Sequence, residues 1–213
     1  EIHSNEERIA FRGTRRTIAE RLAKSSDRVV QAWIMEEIDM TKVTELKNKI
    51  KESSSEEIKL TYMPFFVKAV IRSLKSSPRI NASLDEETED IVIKKDYNIG
   101  IATDTEQGLV VPVIKKAQDK NINEIAKEIE ELSIEAKSGK LELENTQGGT
   151  FTITNIGAIG GISSIPIVNY PEVAILAINK IMKKVVHWEG EIVARDRVYL
   201  SLSFDHRMLD GAD

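Results

Sequence analysis

Apolar residues recur along this chain at two spacings, and the switches between them divide it into helices and strands. From Thr14, Ile18 and Leu22 fall one turn apart with Ala19 and Ala23 beside them, which predicts a helix whose other face carries Arg15, Arg16 and Arg21. Thr17 and Glu20 have the spacing of a capping box. Residues 33–39 predict a short strand, followed by a second helix with Thr41 as its N-cap and Val43, Leu46 and Ile50 on one face. Ser53-Ser54-Ser55 predicts a loop. A third helix opens with Pro64 in its first turn, buries Phe65, Phe66, Val70 and Leu74, and stops at Ser76-Ser77-Pro78.

Strands are predicted at 91–94 and 97–102, separated by a charged turn. Ile122, Ile125, Ile129 and Leu132 then repeat at helical intervals between residues 121 and 137, as in a helix lying on a sheet. Gly148-Gly149 breaks the chain before a strand at 151–154, and Gly157, Gly160 and Gly161 make the turn after it. The continuous apolar run at 173–178 predicts a strand buried on both faces, whereas 198–204 alternates. Strands and helices alternate irregularly and nothing repeats, so the expected fold is a single α/β (α+β) domain of two layers around a mixed sheet.

Composition narrows the function classes. The chain has 213 residues, 41% hydrophobic, enough for one large domain with a buried core. Thirty basic and thirty-five acidic residues are interspersed for a net charge of −5, so no nucleic-acid surface is expected. The absence of cysteine removes disulfides, thiolate nucleophiles and cysteine-ligated zinc, and is compatible with a reducing cytoplasm. The apolar stretch between 165 and 178 is interrupted by Pro166, Asn169, Pro171 and Glu172, so no membrane span is expected.

Candidate chemistry concentrates near the end. His206 leaves the alternating run 198–204 and enters a turn, Asp205-His206-Arg207-Met208-Leu209-Asp210-Gly211, which presents an imidazole as a general base. His3 lies in a polar stretch and His187 beside Trp188 before a Glu189-Gly190 turn, where surface or packing roles are expected; no metal site is expected. Asp210 can orient His206 or anchor the loop through a salt bridge, and anchoring is the favoured role. Asp104-Thr105-Glu106-Gln107-Gly108-Leu109 reads equally as a hairpin with an acidic tip or as a channel wall where Gly108 lets backbone approach a ligand. The run from Thr152 to Gly161 lacks the lysine of a phosphate loop, but Thr154 and Asn155 offer a hydroxyl and an amide at a strand end, suited to an oxyanion.

Taken together these segments resemble the catalytic domain of the dihydrolipoamide acyltransferases, the core components of 2-oxo acid dehydrogenase complexes, with a chloramphenicol acetyltransferase-like fold. The resemblance rests on Arg12-Gly13, Glu37-Ile38-Asp39, Tyr62-Met63-Pro64-Phe65-Phe66, Asn98-Ile99-Gly100-Ile101-Ala102, Gly148-Gly149-Thr150-Phe151, Asn155-Ile156-Gly157, Pro171-Glu172-Val173-Ala174-Ile175 and Asp205-His206-Arg207 with Asp210-Gly211, in that order. It implies a trimer with its site between subunits and acyl transfer between coenzyme A and a dihydrolipoyl group carried on a separate domain. His206 would be the general base and Thr154, where the family usually has serine, the oxyanion donor. Asp210 would hold its loop through an arginine near the N-terminal helix. Gly161, Ser163 and Ser164 would contact coenzyme A, and Asp104, Gly108, Leu109 and Asn155 would line the substrate channel.

The resemblance further implies a linker remnant at 1–7 and a catalytic domain at 8–213. Relatives continue beyond Asp-Gly-Ala, and lipoyl and peripheral-subunit-binding domains are expected outside this chain. Partners would be the dehydrogenase and dihydrolipoamide dehydrogenase components around a hollow core of trimers, in the cytoplasm or, in a eukaryote, the mitochondrial matrix. Branched-chain acyl or acetyl is the expected group. A free-standing acetyltransferase of the same fold and a catalytically silent assembly scaffold are the competing readings.

Overall fold

The computed structural model describes residues 5–53 and 60–213. His3, Ser54 and Ser55 therefore lie outside the described residues, as do the first four positions of the expected linker. The chain runs α1 (Thr14–Arg28), β1 (Gln31–Asp39), α2 (Thr41–Ser53), α3 (Met63–Ser76), β2 (Ala82–Asp85), β3 (Asp90–Ile93), β4 (Ile99–Thr105), β5 (Gly108–Val110), β6 (Val113–Ile114), α4 (Ile122–Lys137), β7 (Phe151–Asn155), β8 (Ala174–Ile178), β9 (Met182–Trp188) and β10 (Glu191–Asp205).

An eight-stranded mixed sheet in the order β1-β10-β8-β7-β4-β5 organises the molecule, with β6 beside β4 and β9 beside β10. β4, β7 and β8 are parallel neighbours, and β10 runs antiparallel to β8 and to β1. The α/β fold expected from the sequence is thus the one observed. β8 is buried along both faces apart from Leu176, as its unbroken apolar run requires. α3 turns Phe66, Val67, Val70, Ile71 and Leu74 into the core, where they join Ile99, Phe151, Ile153 and Ala174.

Local chemistry places the helix ends, and not always where the sequence suggested. α1 starts behind Gly13 without a side-chain cap, and Thr17 donates its hydroxyl back to the Gly13 carbonyl. The capping box belongs instead to α4: Asn121 accepts from the Asn123 and Glu124 N–H groups while Glu124 accepts from the Asn121 N–H. Thr41 is the first helical residue rather than the cap; Asp39 accepts from its N–H and its hydroxyl accepts from the Asp196 N–H. The Asp104–Gly108 segment is a hairpin, with Thr105 opposite Gly108. Gly108 has φ +119, a backbone conformation that favours glycine, and a Cβ there would stand 2.6 Å from the tip of Ile18 in α1.

The strand expected at 91–94 is present as β3, but its partner β2 and the strand β9 were not anticipated. β2 pairs with β3 as a separate two-stranded sheet, and β9 pairs with the first half of β10 across the Glu189-Gly190 turn. β9 carries many exposed positions, and β2 is only four residues long, too short to show a period.

Ile153 is fully buried at the centre of β7. Ile153→Ala is expected to lower the unfolding free energy by about 2–5 kcal/mol, measured by urea denaturation, because the parallel strands on either side cannot close over the vacated volume. A change below about 0.5 kcal/mol would contradict this packing.

Candidate active site

His206 owes its position to backbone hydrogen bonds on both sides. β10 ends at Asp205, whose N–H donates to the Val173 carbonyl at 2.9 Å, and the His206 N–H donates to the Val30 carbonyl at 2.8 Å. The Asp205 carboxylate is 3% exposed and grips the Arg207 guanidinium through both oxygens, which tightens the turn. Arg207 is thereby pushed up, chiefly by its hydrogen bonds to Asp205. The imidazole itself is left outside, its side chain 48% exposed and its ring centroid 5.6 Å from that of Phe204.

Asp210 stands near this ring, Oδ1 to Nδ1 at 3.6 Å, with its own side chain 80% exposed. Among the described residues Asp210 pairs with His206 and with no arginine. Arg79, after α3, pins the loop instead, donating to the Met208 carbonyl and pairing with Asp213 at 3.2 Å. The Asp213 carboxylate in turn accepts from the Asp210 N–H.

Thr154 lies elsewhere. It is 8% exposed near the end of β7, and among the described residues its hydroxyl makes no hydrogen bond, leaving a donor uncommitted. Asn155 follows it, and Ser163 and Ser164 lie in the loop leaving β7, where Ser164 donates to the Asn179 carboxamide at 2.8 Å. Gly161 is in the same loop, its carbonyl accepting from the Lys180 N–H. Asp104 and Leu109 face each other in the β4–β5 hairpin, continuing beyond Ala102, which is the β4 neighbour of Thr154. The channel and coenzyme A candidates therefore share the Thr154 end of the sheet.

His206 is at the other end. Thr154 is level with Ala177 and Ala177 with Ser201, so five residues of β10 separate Thr154's row from His206. At about 3.3 Å per residue and about 4.8 Å per strand, that is roughly 17 Å along the sheet and 10 Å across it. One chain cannot bring both groups to one reacting atom.

At the His206 end lies a buried acid to which no role was assigned from the sequence. Glu172, behind the cis Tyr170-Pro171 bond, is 6% exposed and accepts from the Thr152 hydroxyl at 2.6 Å and the Asn169 amide at 2.9 Å. Burial pushes its carboxyl up to about 7, against the downward pull of those two hydrogen bonds. A Cβ on Gly149 would lie 2.9 Å from Glu172 Oε1, which explains the second glycine of Gly148-Gly149. Its sequence signals were an acid abutting a strand buried on both faces and its place in the Pro171-Glu172-Val173-Ala174-Ile175 run.

Comparison with known proteins gives this geometry a family setting. Residues 3–213 match the model of the 2-oxoacid dehydrogenases acyltransferase catalytic domain. The chain is 44% identical over 208 residues to the dihydrolipoyllysine-residue acetyltransferase component of the pyruvate dehydrogenase complex of Bacillus subtilis, covering 97% of this chain and 47% of that protein. The Staphylococcus epidermidis counterpart is 46% identical over 199 residues, covering 93% and 46%. The chain thus spans about half the length of the curated relatives it matches. Among solved structures, a probable dihydrolipoamide acetyltransferase of Listeria monocytogenes superposes with TM-score 0.93 at 38% identity, covering 99% of this chain and 90% of that one. Azotobacter vinelandii dihydrolipoamide acetyltransferase superposes with TM-score 0.93 at 36% identity, covering 98% and 86%; a serine, a histidine and an asparagine of that enzyme were investigated for roles in its mechanism. Chloramphenicol acetyltransferase, at 13% identity and TM-score 0.53, shares the fold.

Glu172 makes stability depend on pH in a definite direction. Its carboxyl holds a proton in the folded chain up to about pH 7 that the unfolded chain releases near 4.5, so its contribution is intact at low pH and is lost as pH rises through 7. Glu172→Gln is expected to remove a loss of up to about 3 kcal/mol between pH 5 and 8, read from urea unfolding at both values. Parallel pH profiles for wild type and variant would contradict it.

Proposed function

The chain belongs to the 2-oxoacid dehydrogenase acyltransferase family, as a catalytic domain, and on that premise we propose that it transfers an acyl group between coenzyme A and a dihydrolipoyl group. The observation that carries this reading is the separation of His206 and Thr154, which asks for a site assembled from two copies. The relatives' names favour acetyl as the group, with branched-chain acyl second.

In this mechanism the imidazole of His206 removes the thiol proton as sulfur attacks the thioester carbonyl of the other substrate. Asp210 beside Nδ1 favours a proton on that nitrogen and leaves Nε2 as the base. The new carbon–sulfur bond pushes the carbonyl electrons onto oxygen, and the Thr154 hydroxyl of the neighbouring copy donates to that oxyanion. Collapse breaks the original carbon–sulfur bond, and the departing thiolate takes the proton back from the imidazolium. No acyl-enzyme forms, and the histidine is restored at each turnover.

Two features support these roles. The serine, histidine and asparagine investigated in the Azotobacter enzyme are separated by 52 and then four positions, the spacing of Thr154, His206 and Asp210 here. The chain keeps a hydroxyl and an imidazole at those places and puts an acid where that enzyme has an amide. Assembly follows from the same reading: a trimer completes three sites, and trimers build a larger hollow core; support comes from a relative of TM-score 0.93 that is the cubic core of a pyruvate dehydrogenase multienzyme complex. Dehydrogenase and dihydrolipoamide dehydrogenase components would be its partners, and the cytoplasm or a mitochondrial matrix its location.

His206→Ala is expected to lower turnover from acetyl-coenzyme A to free dihydrolipoamide by roughly a hundredfold or more with little change in the KM for coenzyme A. Thr154→Val should lose a similar factor, and Thr154→Ser should retain activity. A refolded equal mixture of His206→Ala and Thr154→Val chains should regain roughly a quarter of wild-type turnover, since random trimers pair a native histidine with a native threonine at that frequency. A mixture as inactive as its components would rule out the shared site; normal turnover of His206→Ala would rule out the base.

A further inference from the structure

A cleft of about 1020 Å³ opens between α1, the segment after β3 and the Gly148–Gly149 turn. Its walls carry Arg21 and Lys24 from α1 and Lys94 and Lys95 from the segment after β3, against two acids, Asp96 and Glu172. The whole chain has a net charge of −5, so this concentration of cations runs against the overall balance. Among the described residues Arg21, Lys94 and Lys95 have no ion-pair partner. Asp96 does not compensate them at close range, its carboxylate accepting from the Gln118 amide at 3.3 Å. Glu172, hydrogen-bonded by Thr152 and Asn169 and held to about 7 by burial, adds only part of a negative charge near neutral pH.

Four cations in one concavity repel each other, and the concave low-dielectric walls focus their field on whatever enters. Tyr170 adds an aromatic surface, with the Lys24 ammonium 4.9 Å from its ring centroid. The volume is near the upper end of small-molecule sites, about 300–1,000 Å³, and an acidic chain offers no extended basic track for nucleic acid. We propose that this cleft binds a small molecule bearing two or more phosphate groups, with the phosphates on Arg21, Lys94 and Lys95 and the body of the ligand against Tyr170. The phosphate end of coenzyme A and a free polyphosphate ester present the same chemistry.

Inorganic tripolyphosphate is the probe, titrated calorimetrically into the assembled protein at low ionic strength. Saturable binding is expected, weakened by at least ~10-fold in Lys94→Ala/Lys95→Ala and in Arg21→Ala, and unchanged in Lys127→Ala/Lys140→Ala on and after α4. Thermal melting of each variant guards against misfolding, and turnover is not the readout, so failure here leaves acyl transfer untouched. Displacement of tripolyphosphate by coenzyme A would identify the acyl carrier as the occupant; binding that coenzyme A leaves intact would identify a separate phosphorylated ligand, and both sustain the site. Absence of binding, equal affinity of wild type and the Lys94/Lys95 variant, or equally tight binding of a polyglutamate peptide would overturn it.

Discussion

The pairing of β10 on both edges governs the rest of the molecule. β1 runs along one side from Arg197 to Asp205, and β8 occupies the other from Leu200 to Phe204. The Val173 and Val30 carbonyls then take the next two N–H groups, those of Asp205 and His206. In a strand held this way neither translation nor rotation is available without breaking ladder hydrogen bonds, so the imidazole is exposed yet its backbone is fixed. On the proposed mechanism, a base on a mobile loop would lose ordering entropy at every encounter, whereas here the backbone is ordered by folding itself.

A polar network secures the other half of β10. Glu37 and Asp39 on β1 meet Lys184, Arg195 and Arg197 from the β9–β10 hairpin, with Arg195 Nε 2.7 Å from Asp39. Against the upward push of burial, hydrogen bonds from Arg195 and Thr41 hold the Asp39 carboxyl down at about 2. Asp39 also accepts from the Thr41 N–H, so one carboxylate ties a strand, a hairpin and the start of a helix together. Such partly buried pairs specify arrangement more than they add stability.

Much of the architecture was legible because burial writes itself into periodicity. The α3 and α4 stripes each correspond to an element with a definite inside, and the unbroken β8 run to a strand buried on both faces, whereas in β10 the polar Ser201 and Ser203 are as buried as Val198 and Phe204. β3 was legible as the apolar run at 91–93, whereas its four-residue partner β2 and the largely exposed β9 left no periodic apolar face to read. Among candidate site residues, His206 and Thr154 stood out by type and by place at strand ends. What sequence could not supply was distance: the opposite ends of the sheet occupied by those two residues follow from the β7–β8–β10 register, and register is set by tertiary pairing. Arg79 was missed for a similar reason, being more than a hundred positions from the loop it holds. Gly108 could not be resolved between hairpin and channel wall because a glycine required by backbone conformation and one required by a ligand look alike in sequence.

β10 is one strand of 15 residues with three different neighbours, and it acts as a ruler whose zero is the Glu189-Gly190 turn. Adding or deleting a residue within it would do more than loosen a hairpin. Because strand faces alternate with a period of two, a single-residue change in length would turn Val198 and Phe204 away from the core and reverse the direction in which His206 leaves the sheet. Length variation should therefore accumulate at the turn and be excluded from the strand, so the history of insertions in such chains would mark the boundary between tolerant surface and the part that measures out the position of the imidazole.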